Sequence, residues 1–301
     1  MTKIKLGISP IGWTNDDLPE LGGNIPLEKC LSDIKQANFI GTEVGSKFPK
    51  DPLKLKSILK PFKIQIASQW FSSFFITEKR DKHEGETIKR FKQHMNFLKS
   101  LGAKVIVISE QGKSIQGKID LPLFLNKPNM EENEWEYLIY GLNTIGKIAI
   151  ENKMKIVYHH HMGTVVQTRS EIDRLMQSTN PNYVFLLVDT GHMYYSDGND
   201  SPSNLILDYQ DRIKHIHLKD IRESIKKKVI EQKLSFLQSV KEGVFTVPGD
   251  GDINFDKIFS AINQIKYEGW LIVEAEQDPE KANPLEYALK ARNFIKQKLR
   301  I

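Results

Sequence analysis

Four short apolar runs in the second half of the chain each end in imidazole or carboxylate groups: KIVYHHH, FLLVDTGH, IKHIHLKD and WLIVEAEQD. A brief aliphatic and β-branched run bounded by turn formers reads as a buried strand. Buried polar ends must find partners, so the chain has to fold in a way that lets several strand ends meet. Parallel sheets covered by helices on their faces do this. Imidazole and carboxylate are also the groups that divalent cations take. The residue types alone therefore suggest one shared site fed by these four strand ends.

The rest of the 301 residues alternates strand and helix periodicity. Strands are expected at 5–9, 39–44, 63–69, 104–109, 155–158, 183–189, 213–218 and 270–275. Helices are expected at 25–37, 52–59, 84–101, 131–152, 168–177, 202–209, 255–265 and 284–299. Ile88, Phe91, Met95 and Leu98 recur at helical spacing and Gly102 stops that helix. Pro26 suits a first helical turn. Eight β/α units running in one direction, with no linker-like stretch, predict a single (β/α)8 TIM barrel over residues 1–301. An insertion at about 220–251, with a helix-like stretch at 229–240, separates strand seven from its helix. An open doubly wound sheet fits less well, because SPIGWTND after the first strand has one glycine and no Gly-rich phosphate loop.

Composition narrows the partners. Forty per cent hydrophobic and 27% charged residues describe a soluble globular chain. The longest apolar runs are far too short to span a bilayer, and the first residues lead into a strand without a signal-peptide core, so the expected location is the cytoplasm. The net charge of +5 is dispersed, with one dense run at Lys226, Lys227 and Lys228, which argues against nucleic acid. The single cysteine, Cys30, falls among Leu27, Leu31 and Ile34 and reads as a core thiol.

In a TIM barrel the C-terminal strand ends form one mouth. Trp13, Asn15 and Asp16 follow strand one, where they either bind a polyol ring or form a rim tryptophan and an Asx turn. Glu43, Gln69, Trp70 and Glu110 end strands two to four. The polar loop at 110–129 is long enough to be functional, with Gln116 and Gly117 as part of a lid. Alternation along the strand sends His159 and His161 to the mouth and His160 towards the helices. Glu274 and Glu276 share a face, so either can be a ligand. His215 is expected on the face opposite His217, packed outside the barrel or capping a helix, and Lys113 and Lys219 are possible acid/base groups for which an exposed position is the expected state.

The motifs DTGH, HIHLKD and GWLIVEAEQD, in that order, resemble the sugar isomerase/epimerase-like TIM barrels related to xylose isomerase and endonuclease IV. Within that group, ISPIGWTNDDLPELGG, YHHHMGTVVQT and VDTGHMYY are similar to the inosose dehydratase family, across essentially the whole chain. The resemblance implies one divalent metal, Mn²⁺ or Co²⁺, with Asp189, His217 and Glu274 as ligands. His159 stands where relatives have a glutamate, which leaves the fourth ligand open among His159, His161 and water. The implied reaction is dehydration of 2-keto-myo-inositol to a trihydroxycyclohexane-1,2-dione through an enediolate, by a hydro-lyase of myo-inositol catabolism. Glutathione enters as a further cofactor by resemblance alone. His161, His192 and Glu110 are the candidate proton-transfer groups, and Trp13, Asn15, Asp16, Glu43 and Gln69 the candidate substrate contacts. The expected partner is a small cyclic polyol ketone, with homo-oligomerisation compatible with the sequence. Two alternatives share the metal site: a ketose isomerase or epimerase, and an endonuclease IV-like repair enzyme. The latter lacks support here, because Glu43 and Gln69 occupy strand ends where that enzyme has additional histidines.

Overall fold

The computed structural model describes residues 4–77 and 80–299. Parallel strands β1 (Ile4–Ile8), β2 (Gly41–Thr42), β3 (Gln65–Ile66), β4 (Trp70–Ser73), β5 (Val105–Glu110), β6 (Lys155–His159), β7 (Val184–Asp189), β8 (Ile213–Leu218) and β11 (Gly269–Val273) form one sheet, ordered β3-β2-β1-β11-β8-β7-β6-β5-β4. Strands β3 and β4 are two parts of one segment, broken at residues 67–69. Its first part pairs with β2, extended by Ala67 N donating to the Thr42 carbonyl at 2.9 Å. Its second part pairs with β5, and Val107 N donates to the Gln69 carbonyl at 3.2 Å. That one segment closes the sheet into an eight-position barrel, the TIM architecture expected from the sequence.

Side chains alternate between the barrel interior and the helical layer. Val105, Val107, Val157, Phe185 and Leu187 form the inner cluster, with Trp70 against it. Beneath them the interior is narrow: a Cβ on Gly41 would strike the Trp270 ring, so only glycine lets the indole lie across the barrel floor there. The outer layer consists of α1 (Leu27–Gln36), α2 (Pro52–Leu59), α3 (Arg80–Ser100), α4 (Glu132–Glu151), α5 (Arg169–Ser178), α6 (Thr190–Asp197), α7 (Ser201–Asp208), α10 (Phe255–Gln264) and α11 (Pro284–Leu299). Each lays an apolar stripe on the sheet. In α4 that stripe includes Trp135, Leu138, Leu142 and Ile145, each such burial stabilising by ~1.5–3 kcal/mol. Capping residues set the starts. Asp51 accepts from Lys54 N at 2.7 Å, and Thr168 and Glu171 form a capping box at α5.

The insertion holds more than the one helix expected. β9 (Asp220–Ile221) pairs antiparallel with β10 (Phe245–Thr246), and α8 (Glu223–Glu231) and α9 (Phe236–Lys241) lie between them. Its base is fixed by Asp220, whose carboxylate accepts the Ile221, Gly249, Gly251 and Ile253 amides at 2.8–3.0 Å. The loop after β5 docks on it through Leu123 N and the Leu234 carbonyl, 2.9 Å apart. Helix α6 was also missed: Asp189 ends β7 and caps α6 at once, leaving no loop to mark the change. Among the described residues no helix is long and apolar enough to cross a membrane.

Candidate metal centre and cavity

A cavity of about 780 Å³ opens at the C-terminal end of the barrel, with His159, His161, His217, Glu43, Glu274 and Glu276 among its lining. His159, Asp189, His217 and Glu274 each offer one donor atom, all within 4.8 Å of one another. His159 Nε2 lies 3.7 Å and His217 Nδ1 3.5 Å from Asp189 Oδ2, and His217 Nδ1 lies 3.2 Å from Glu274 Oε2. Tetrahedral coordination with bonds of ~2.0–2.1 Å places neighbouring donors roughly 3.4 Å apart, so the set has the span of a divalent-ion site. Asp189 Oδ2 and His217 Nδ1 are buried without a hydrogen-bond partner, the condition expected of groups aimed at a cation.

The backbone prepares these donors. His159 Nδ1–H donates to the His160 carbonyl at 2.6 Å, which leaves Nε2 with its lone pair towards Asp189. Asp189 Oδ1 accepts the His192 amide at 2.9 Å, turning Oδ2 to the centre. His217 donates from Nε2 to Glu43, 3.2–3.3 Å away, and presents Nδ1 inwards. Glu43 also accepts from His215 Nε2 at 3.0 Å and from the Ser68 hydroxyl. A carboxylate behind a ligating histidine orients the ring and raises its basicity.

The expectation for His215 is therefore corrected. Residues two apart on a strand share a face, so His215, His217 and Lys219 all point inwards, and His215 is fully buried on Glu43. Lys219, expected at the surface, is likewise fully buried. Its Nζ lies 2.8 Å from Glu274 Oε1, 2.8 Å from Glu276 Oε2, 3.1 Å from His192 Nε2 and 3.4 Å from Asp189 Oδ2. Lys113 is exposed and pairs with Glu134.

This charge pattern sets the protonation states. Burial pushes the Asp189 carboxyl up, but Lys219, His192 and His217 outweigh it and hold it well below the usual carboxylate range. Burial also opposes ionisation of Glu274, where His217 and Lys219 win. Burial disfavours the His217 imidazolium, but Glu274 and Glu43 hold its pKa well above the usual value. Glu276 is pushed up to about 7 by burial, against the pull of Lys219. His161 is held well below the usual imidazole value by burial and the neighbouring His159 and Lys219, so its ring is neutral.

His161 Nδ1–H donates to the Met162 carbonyl at 2.8 Å, leaving Nε2 as the free base position. His192 lies against it, the rings tilted by 41° with centroids 3.7 Å apart, but does not line the cavity, so it supports His161 rather than reaching a ligand. From the insertion, Phe236 backs both rings at 5.1 and 6.0 Å, and Phe245 backs His192 at 5.1 Å. His160 turns outwards and accepts the Asp189 amide on Nε2 at 3.3 Å, so it braces a donor of the metal set.

The other sequence candidates divide. Asp16, Gln69 and Glu43 line the cavity, and Gln116 crosses it to donate to Asp17 at 2.7 Å, joining the long loop to the loop after β1. Glu110, a catalytic candidate, points out of the barrel, because Ser109 takes the inward place on β5. There it accepts from Ser73 Oγ at 2.8 Å, Phe75 N at 3.0 Å and Gly112 N at 3.0 Å, tying two loops together. Trp13, a substrate candidate, is buried and donates from Nε1 to Asp33 at 3.0 Å. Asn15 makes the Asx turn, accepting from Asp17 N at 2.9 Å and Leu18 N at 3.0 Å. Neither lines the cavity. Asp17, Glu276 as an acid/base group and the burial of Lys219 escaped the sequence reading. The inward parity of 215, 217 and 219 is the signal that finds Lys219.

Comparison with known proteins agrees with this architecture. Residues 31–298 match the family model described as xylose isomerase-like TIM barrel. The inosose dehydratase of Clostridium tetani (strain Massachusetts / E88) is 54% identical over 299 residues, 99% of this chain and 98% of that protein. That of Geobacillus thermodenitrificans (strain NG80-2) is 55% identical over 295 residues, 98% of this chain and 97% of that protein. Among solved structures, the IolI protein with a bound zinc atom shares the fold, with a TM-score of 0.68 at 17% identity over 98% of this chain and 96% of that one. The chain belongs to the xylose isomerase-like TIM-barrel family, within the branch formed by the inosose dehydratases.

Proposed function

We propose that the protein is a metal-dependent hydro-lyase that dehydrates 2-keto-myo-inositol to a trihydroxycyclohexane-1,2-dione, working in the cytoplasm with manganese or cobalt. The observation that carries this reading is the four-donor set opening onto a cavity that also holds two proton carriers, His161 and Glu276. The inosose dehydratases aligned over nearly the whole chain support the substrate. His159, Asp189, His217 and Glu274 hold the ion in this reading. A divalent cation supplies Lewis-acid polarisation of a ketone, which acidifies the adjacent C–H.

The chain's own groups do the rest. His161 Nε2 takes the proton from the carbon next to the ketone, its neutral ring kept in the accepting tautomer by the Met162 carbonyl. Glu276, held near neutrality, gives a proton to the hydroxyl one carbon further on, which leaves as water as its C–O bond breaks. The enol so formed tautomerises to the dione without oxidant or reductant. Asp16, Asp17, Gln69 and Gln116 offer the acceptors and donors that a ring of hydroxyls needs.

The test is incubation of the manganese-loaded enzyme with scyllo-inosose while ultraviolet absorbance of the conjugated product is followed. Activity abolished by a chelator, restored by manganese or cobalt, and lost in His161→Ala with metal retained supports the reading. An epimerised ring without new absorbance, or full turnover with no metal by elemental analysis, refutes it.

A further inference from the structure

Beside the four-donor set lies a second group with the composition of a metal site. His161, His192 and Glu276 each offer one donor atom, all within 4.8 Å of one another. Two of the three already hold a cation. Lys219 Nζ lies 2.8 Å from Glu276 Oε2 and 3.1 Å from His192 Nε2, and it also reaches Glu274 Oε1 at 2.8 Å and Asp189 Oδ2 at 3.4 Å. Glu274 and Asp189 belong to the first set, so the ammonium bridges the two groups as a shared cation would.

The fold fixes that ammonium in place. The Lys219 stem crosses Gly191, where an added Cβ would lie 2.5 Å from Lys219 Cγ and 2.7 Å from Cδ. Thr190 clamps the Lys219 backbone at both ends: its hydroxyl donates to the Lys219 carbonyl at 2.7 Å and accepts the Lys219 amide at 2.9 Å. Phe245 closes over the ammonium, 4.7 Å from ring centroid to Nζ. The glycine of DTGH and the lysine of HLKD are thus a matched pair. A neutral imidazole has one nitrogen lone pair, and donors face His192 at both ring nitrogens, the Met162 amide 3.3 Å from Nδ1 and Lys219 Nζ 3.1 Å from Nε2, so that lone pair is not open to an ion.

We propose that Lys219 is a built-in second cation: it occupies the place where His192, Glu276 and His161 would bind a second divalent ion, and so holds the site to one metal per chain. The ammonium lies 2.8–3.4 Å from donors of both groups, and an ion drawing on the same atoms would be repelled at close range. The position also assigns the oxygens of Glu274, with Oε1 on Lys219 and Oε2 left for the first metal.

This inference rests on the metal-dependent reading above, and metal stoichiometry separates the two. Wild type, Lys219→Ala and Lys219→Met are dialysed against manganese, washed free of unbound ion, and compared by elemental analysis and by the electron paramagnetic resonance of the bound manganese. Circular dichroism monitors folding. Wild type should hold one ion even when loaded at millimolar manganese. Lys219→Ala should hold two, with the exchange-coupled spectrum of adjacent ions, and Lys219→Met, which fills the space without charge, should hold one. A wild type that takes two ions, or a folded Lys219→Ala that saturates at one, overturns the proposal. Should Lys219→Ala fail to fold, the wild-type count at millimolar manganese decides it: one ion supports the proposal and two overturn it. A wild type that binds none overturns the metal-dependent reading itself.

Discussion

Replacing Glu43 by glutamine tests whether the carboxylate behind His217 governs the metal centre. Three donors converge on Glu43: His215 Nε2 at 3.0 Å, His217 Nε2 at 3.2 Å and the Ser68 hydroxyl. A carboxylate offers about four lone-pair sites, enough for all three, whereas the glutamine amide offers two and turns a donor towards the rest. At least one buried donor then loses its acceptor, at a cost of ~1–3 kcal/mol. Loss of such a partner weakens metal binding by roughly 10–100-fold, which is about 1.4–2.8 kcal/mol at 1.4 kcal/mol per decade.

The pH dependence should change as well. In the metal-free protein burial disfavours the His217 imidazolium, yet Glu274 and Glu43 hold its pKa above the usual value. That proton competes with a metal for Nδ1, so wild-type affinity should rise with pH until His217 is neutral, and the variant should reach its plateau at lower pH. Manganese titration against a competing fluorescent chelator at several pH values, with melting curves to verify folding, measures both effects. A folded Glu43→Gln protein whose dissociation constant stays within about twofold of wild type would refute the role of Glu43 in tuning His217.

Two further substitutions test the residues that the fold moves away from the cavity. Trp13→Phe removes the donor to Asp33, which keeps Lys29 at 2.7 Å. It should cost ~1–3 kcal/mol in chemical denaturation while leaving kcat/KM within about twofold, and a tenfold kinetic loss at unchanged stability would return Trp13 to the substrate site. Glu110, pushed from 4.5 up to about 7 by burial, stabilises the fold in its protonated form. That contribution is complete below 4.5 and is lost as pH rises through about 7, an effect on the order of 3 kcal/mol at 1.36 kcal/mol per unit. Glu110→Gln should therefore flatten the stability profile over that window, and profiles that run parallel would show that the carboxyl does not titrate there.

The sequence by itself determined the alternation of elements and hence the barrel, because strand and helix periods are local properties of the chain. Helices α2 and α11 and strand β8 lie at the bounds their composition predicts. Once the barrel is known, strand ends are mouth residues, which is why four strand ends carrying imidazole or carboxylate pointed to one shared site, while the choice of Asp189, His217 and Glu274 came from the family resemblance and left the fourth place open. Local pattern could not decide which strand-end residue faces inwards where the strand breaks or turns. Glu110 and Ser109 are adjacent, and only the pairing of β5 with β4 sends the carboxylate outwards. Trp13 has the chemistry of a sugar-binding wall, yet Asp33 on α1 captures its indole, a contact between segments twenty residues apart. Lys219 is the sharpest case. Alone, a lysine belongs in water; its burial depends on Asp189, Glu274 and Glu276, which arrive from two other strand ends and compensate its charge only after the barrel has closed.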